Sequence, residues 1–138
     1  MKNVSGFIRY HSCIIFPTLL SVLTYFVNNK SNFIDNIKDP NKITSLTSLD
    51  ASLIGVLITI LTIYLAVPKN DFVKNRLKAS KHEHIYLYNI LIGIIVLFSS
   101  ILSWLFFDNT TFLFIFFIAG ISNIAISIYY TFSLIKLI

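Results

Sequence analysis

The chain has 138 residues, of which 56% are hydrophobic and 15% aromatic but only 12% charged, and its mean hydropathy is +0.79. Soluble domains carry about twice that share of charge, and a 15.8 kDa globule leaves too much of itself in water to hide so much apolar surface. Intrinsic disorder is excluded by the same figures, so the composition is that of an integral membrane protein.

Net charge is +5. In a soluble domain that excess would suggest nucleic acid; here it has to be read against the two faces of a bilayer. Cys13 is the only cysteine and cannot form an intrachain disulfide. The abundance of Ile, Lys and Asn fits an AT-rich coding sequence and hence a bacterium.

The first apolar segment, 7–27, carries Arg9 and His11 near its start and is apolar from Cys13 onward. Tyr25-Phe26-Val27-Asn28 lacks the small residues of a signal-peptidase site. The segment therefore reads as an uncleaved first helix, with Arg9 snorkelling to the interface. An outer loop over 28–46, rich in Asn, Ser and Lys, is expected to be only partly ordered. The charge-free run 51–67 has 17 residues, and a crossing needs ~20. It is expected to recruit upstream residues, giving a span over about 47–67 with Pro68 as its stop.

A basic inner loop, 68–84, follows. The charge-free runs 85–107 and 109–135 have 23 and 27 residues and cross without help, as spans 85–107 and 110–134. The tight turn at 108–110 makes them neighbours. The expected fold is a single all-α integral membrane domain: four transmembrane helices in an antiparallel up-down bundle. Asp50 and Asp108 fall at helix ends in this reading, leaving no carboxylate at the middle of the bilayer.

Orientation follows from Lys and Arg. With the N-terminus inside, the inner side holds eight of them and the outer side three, Lys30, Lys38 and Lys42. Both termini are expected in the cytoplasm, in the inner (cell) membrane of a bacterium.

The polar residues fall in stripes. Ser45, Ser48, Ser52, Gly55, Thr59, Thr62 and Ala66 recur at spacings of three and four, which places them on one face of the second helix. The third helix repeats the pattern with His82, Tyr86, Asn89, Gly93, Val96, Ser100 and Ser103. The fourth offers Gly120, Asn123, Ser127 and Tyr130, and the first Pro17, Ser21, Thr24 and Asn28. Small residues let helices approach in lipid, and Ser, Thr or Asn can bridge them. The same stripes could line a water-filled path in an oligomer, where hydroxyls replace part of an ion's hydration shell. In either case the polar atoms should face one another or water, and not acyl tails. Ser48, Ser52, Gly55, Thr59, Thr62, Asn89, Gly93, Ser100 and Asn123 are the candidate pore or packing residues.

The inner loop places Lys74, Arg76, Lys78 and Lys81 where they can meet anionic lipid or a cytoplasmic regulatory partner. Phe72 is its one stacking platform, too little for a nucleic-acid ligand. His82-Glu83-His84 lacks the ligand spacing of a metal site. No catalytic motif is present and no carboxylates pair within a span, so neither an enzyme nor a cofactor is expected.

Gly6-Phe7-Ile8-Arg9-Tyr10 looks like the start of small four-helix fluoride channels, but the third span lacks their Phe- and Thr-rich break. Small multidrug transporters share the size, yet their first-helix glutamate has no counterpart in 7–27. The run Ala51-Ser52-Leu53-Ile54-Gly55-Val56-Leu57-Ile58-Thr59-Ile60-Leu61-Thr62-Ile63, followed by a basic linker and another span, resembles the small multi-pass membrane effectors of bacterial anti-phage (abortive infection) systems over residues 49–103. The resemblance implies a protein that disrupts the inner membrane when a cytoplasmic sensor releases it, and the stripe on the second helix would make it an oligomer with that stripe at the shared axis. A non-conducting immunity protein, an accessory subunit of a membrane complex, and a small-solute transporter built around Asn89 and Asn123 are the alternatives.

Overall fold

The computed structural model describes residues 11–34, 39–66 and 82–135. Arg9 and the loop cations Lys74, Arg76, Lys78 and Lys81 lie outside the described residues. The described residues form four helices: α1 (Ser12–Ser31), α2 (Pro40–Ala66), α3 (His82–Phe107) and α4 (Thr110–Ile135). Each is long and apolar enough to cross a membrane. The chain is an all-helical, four-span membrane protein.

Local chemistry sets the helix ends, and it moves two of them from their expected places. α1 runs past residue 27 to Asn32, which adopts a left-handed conformation (φ 48°) and returns its N–H to the Asn28 carbonyl at 2.8 Å. Asn tolerates that conformation better than any residue but Gly. The Asn28 side chain then accepts the Ile34 N–H at 2.9 Å, and Ile34 turns inward, fully buried. Phe33 meets Phe114 of α4 edge-on, with ring centroids 6.0 Å apart.

α2 begins at Pro40, well before residue 47. Asp39 caps it, with Oδ1 accepting the Asn41 N–H at 2.9 Å and its carbonyl accepting the Ile43 N–H at 3.1 Å. Proline suits the first helical position because its missing N–H would have had no partner there. The long outer loop expected over 28–46 is thus shortened from both sides.

Between α3 and α4, Asp108 is left-handed (φ 48°) and its N–H bonds to the Trp104 carbonyl at 2.9 Å. Asn109 Oδ1 accepts the Phe112 N–H at 3.1 Å and starts α4.

α3 and α4 share the largest helix–helix contact; α1 lies mainly on α4, and α2 mainly on α3. Along the α3–α4 contact Tyr86 meets Thr131, Asn89 meets Ser127, Leu97 meets Gly120 and Ser100 meets Leu113. α2 touches α3 through Asp50 to Ser100, Leu57 to Gly93, and Tyr64 to Tyr86. Asp50, Leu57 and Tyr64 are seven residues apart, two turns each, so they form one seam.

Lipid tails are as apolar as leucine, so close packing and interhelical hydrogen bonds must hold these helices together. The tightest contacts put a leucine into a glycine notch. Leu57 of α2 approaches Gly93 of α3, where an added Cβ would lie 3.1 Å from Leu57 Cδ1. Leu97 of α3 fills the notch at Gly120 of α4, where a Cβ would come within 2.6 Å of Leu97 Cγ. Both leucines are fully buried.

Candidate functional site

The expected stripes divide into two groups. Those of α3 and α4 face inward: Tyr86, Asn89, Gly93, Ser100 and Ser103 are buried, as are Gly120, Asn123, Ser127 and Tyr130. On α1, Pro17 is buried while Ser21, Thr24 and Asn28 are half-buried. Besides the Ser12–Tyr130 and Tyr86–Thr131 contacts, the inward polar atoms include two clusters at different depths.

In the first, the Asn89 amide donates to the Asn123 carbonyl at 2.7 Å and to Ser127 Oγ at 2.6 Å. Asn89 and Asn123 are both fully buried, and Asn89 Oδ1 and both polar side-chain atoms of Asn123 have no partner. The direct bonds tie α3 to α4, in line with the role that small and amide residues play between membrane helices.

The second cluster corrects the sequence reading. Asp50 was expected at a helix end. Because α2 starts at Pro40, Asp50 lies ten residues in, about 15 Å along the axis, and it is fully buried against α3. Ser100 Oγ sits between Asp50 Oδ2 at 2.7 Å and the Leu113 carbonyl oxygen at 2.9 Å. Ser103 Oγ in turn donates to the Ser100 carbonyl at 2.8 Å. Asp50 Oδ1 has no hydrogen-bond partner. A carboxyl group therefore does sit inside the bundle. The charge-free run starting at Ala51 hid this, because it set the start of the helix by hydropathy and not by the Asp39-Pro40 cap.

The α2 stripe takes the opposite position. Ser45, Ser48, Ser52, Gly55, Thr59, Thr62 and Ala66 are all exposed. Thr59 and Leu57 are two residues apart, about 200° around a helix, so with the seam on α3 the stripe must point away from it. Expectations that polar atoms face one another or water fail here within one chain. The hydroxyls turn back on their own helix instead: Ser45 donates to the Asn41 carbonyl, Ser52 to Ser48, Thr59 to Gly55 and Thr62 to Ile58, at 2.8–2.9 Å. Such back-bonding removes the cost of an unsatisfied hydroxyl in lipid. It leaves a narrow, smooth face, and an added Cβ at Gly55 would meet nothing within 4 Å. Of the three described glycine notches, two are filled from within the chain and the one at Gly55 is open.

At the far end of the α2–α3 contact, the Tyr64 hydroxyl donates to Glu83 Oε1 at 2.7 Å. His11, Cys13 and His84 line a groove of about 320 Å³ nearby. Among the described residues no three His, Cys, Asp or Glu side chains converge as metal ligands.

No protein-family model matches the chain, and no curated protein or solved structure does.

Proposed function

We propose that the protein is the subunit of a membrane-embedded oligomer, a pore-forming or membrane-perturbing effector, assembled through the outward face of α2. The open notch at Gly55 carries this reading. Elsewhere in the bundle a glycine on a helix face receives a neighbour's leucine, and the stripe around Gly55 has the same small-residue character without a neighbour. A second copy presenting the same face could approach closely enough for α2 to lie on α2. Around a shared axis, the same line of hydroxyls, four of them already bonded to their own backbone, offers polar oxygens to a wetted path.

The helix pairings support an antiparallel up-down bundle. The excess of Lys and Arg on one side supports cytoplasmic termini in a bacterial inner membrane. The basic segment between α2 and α3 then faces the cytoplasm, where anionic lipid or a regulatory partner could act on it. The likeness of residues 49–103 to anti-phage membrane effectors favours a defence role. The transporter alternative would rest on Asn89 Oδ1 and the Asn123 amide, which are buried without partners, while the Asn89 Nδ2 group is engaged between α3 and α4.

Expression in a bacterial host should collapse the membrane potential, read with a potential-sensitive dye. Gly55→Leu and Thr59→Leu should abolish the effect while membrane insertion stays at the wild-type level. Unchanged potential in cells that insert the wild-type protein would refute the effector reading. Harmless expression together with a co-purifying membrane protein seated on α2 would establish the non-conducting immunity or accessory role instead.

A further inference from the structure

We propose that Asp50 is a proton-binding site inside the bundle: its carboxyl is held as the neutral acid, and that proton latches α2 onto α3 and α4. The inference concerns the single chain and does not depend on self-association.

Hydrogen counting at Ser100 carries it. Ser100 Oγ is 2.7 Å from Asp50 Oδ2 and 2.9 Å from the Leu113 carbonyl oxygen. A serine hydroxyl has one hydrogen and a carbonyl oxygen has none. One hydrogen shared between two acceptors makes only a weakened, bifurcated pair, whereas contacts of 2.7 and 2.9 Å are each of full hydrogen-bond length; a hydrogen on the carboxyl gives each contact its own. With the proton on Oδ2, the chain closes: Asp50 Oδ2–H donates to Ser100 Oγ, and Ser100 Oγ–H donates to the Leu113 carbonyl. Three helices are then joined through one hydroxyl.

Without the proton the arrangement fails in two places. The serine hydrogen swings to the carboxylate and leaves the Leu113 contact with no hydrogen. The charge then rests on a fully buried group whose Oδ1 has no partner. A buried carboxylate is tolerable only when paired and fully hydrogen-bonded.

Among the described residues no cation is seen paired with the Asp50 carboxyl. From α3 the facing groups are Ser100 and Ser103, and from α4 the Leu113 carbonyl, none of them titratable. Among the described residues, the titratable groups toward this end are Asp39 and Lys42 on or beside α2, Asp108 in the α3–α4 turn and Lys30 near the end of α1. Lys42 and Asp108 each stand eight residues along their helices from Asp50 and Ser100, about 12 Å. Raising the pH should strip the proton and place an unpaired charge at the α2–α3 seam. α2 would then separate from α3 at this level so that water can reach the carboxylate. Acidic conditions hold the bundle closed.

The test uses the full-length chain reconstituted in liposomes. Infrared spectra at neutral pH should show the carbonyl stretch of a neutral carboxyl group that is missing from Asp50→Asn. The same band should shift in Ser100→Ala, which removes its acceptor; that variant keeps the test alive should Asp50→Asn not fold. Trp104, the only tryptophan, lies one turn beyond Ser100 on α3 with its indole N–H buried. Its emission should move reversibly to longer wavelength as pH rises in the wild type, and the shift should be lost in Asp50→Asn. Absence of a neutral-carboxyl band at neutral pH, or a band unchanged in both variants, would overturn the proton site. A Trp104 response identical in wild type and Asp50→Asn would overturn the latch.

Discussion

Glycine substitutions separate packing within the chain from association between chains. At Gly120 an added Cβ would lie 2.6 Å from Cγ of Leu97, a fully buried side chain with no free direction to move in. Overpacking of this kind costs about 1–3 kcal/mol, against a gain of roughly 0.5–1 kcal/mol for replacing glycine by alanine in a helix. Gly120→Ala should therefore lower stability by about 1–2 kcal/mol, roughly a 5- to 30-fold fall in the folded ratio.

At Gly55 an added Cβ would meet nothing within 4 Å, so only the favourable helix term remains for alanine, and the exposure of Gly55 on the face away from α3 gives Gly55→Leu room to point outward. Unfolding of single chains in detergent, followed by Trp104 fluorescence, should rank Gly55→Leu with the wild type and Gly120→Ala well below it. In liposomes the order should reverse for assembly: cross-linked oligomers persist in Gly120→Ala at temperatures where it stays folded and vanish in Gly55→Leu. The reasoning fails if Gly55→Leu destabilises the single chain as much as Gly120→Ala does, or if it leaves the oligomers intact.

Leu57→Ala should open a void at the α2–α3 contact and cost about 2–5 kcal/mol. At Gly93 an added Cβ would lie 3.1 Å from Leu57 Cδ1 and 3.3 Å from Asn123 Cβ. Leu57→Ala relieves the first contact, so Gly93→Ala should cost less in the Leu57→Ala background than in the wild type, and an equal cost in both would refute the notch description. Tyr64→Phe removes the 2.7 Å bond to Glu83 while leaving its ring edge-on to Tyr86 at 5.2 Å. A hydrogen bond to a charged acceptor contributes about 1.5–3 kcal/mol, and this one is only half-buried, so a loss near the lower figure is expected in thermal unfolding. Oligomer formation should be unaffected, since Tyr64 lies on the seam and not on the stripe.

Much of the architecture was legible in the residue order because a membrane span is a local property. Charge-free runs and the tight turn at Asp108 mark where the helices cross, and the spacing of three and four marks which residues share a face. The ends of the helices were legible too, but in different signals. Asp39-Pro40 spells a cap and a first helical position, while hydropathy alone placed the start of α2 seven residues late. That displacement put Asp50 at a helix end in the sequence reading and concealed the buried carboxyl.

Periodicity assigns residues to a face without saying what the face meets. α2 and α3 carry the same kind of stripe, yet the stripe of α3 is buried and that of α2 is turned outward. The choice rests on shape: Leu57 of α2 fits the notch at Gly93 of α3, so α2 docks by its large residues and leaves its small ones free. From the sequence alone come the membrane, the four spans and the membership of each stripe. Only the assembled bundle decides that Asp50 meets Ser100 and that Gly55 meets nothing, because a contact between helices depends on the complementary relief of two surfaces at once.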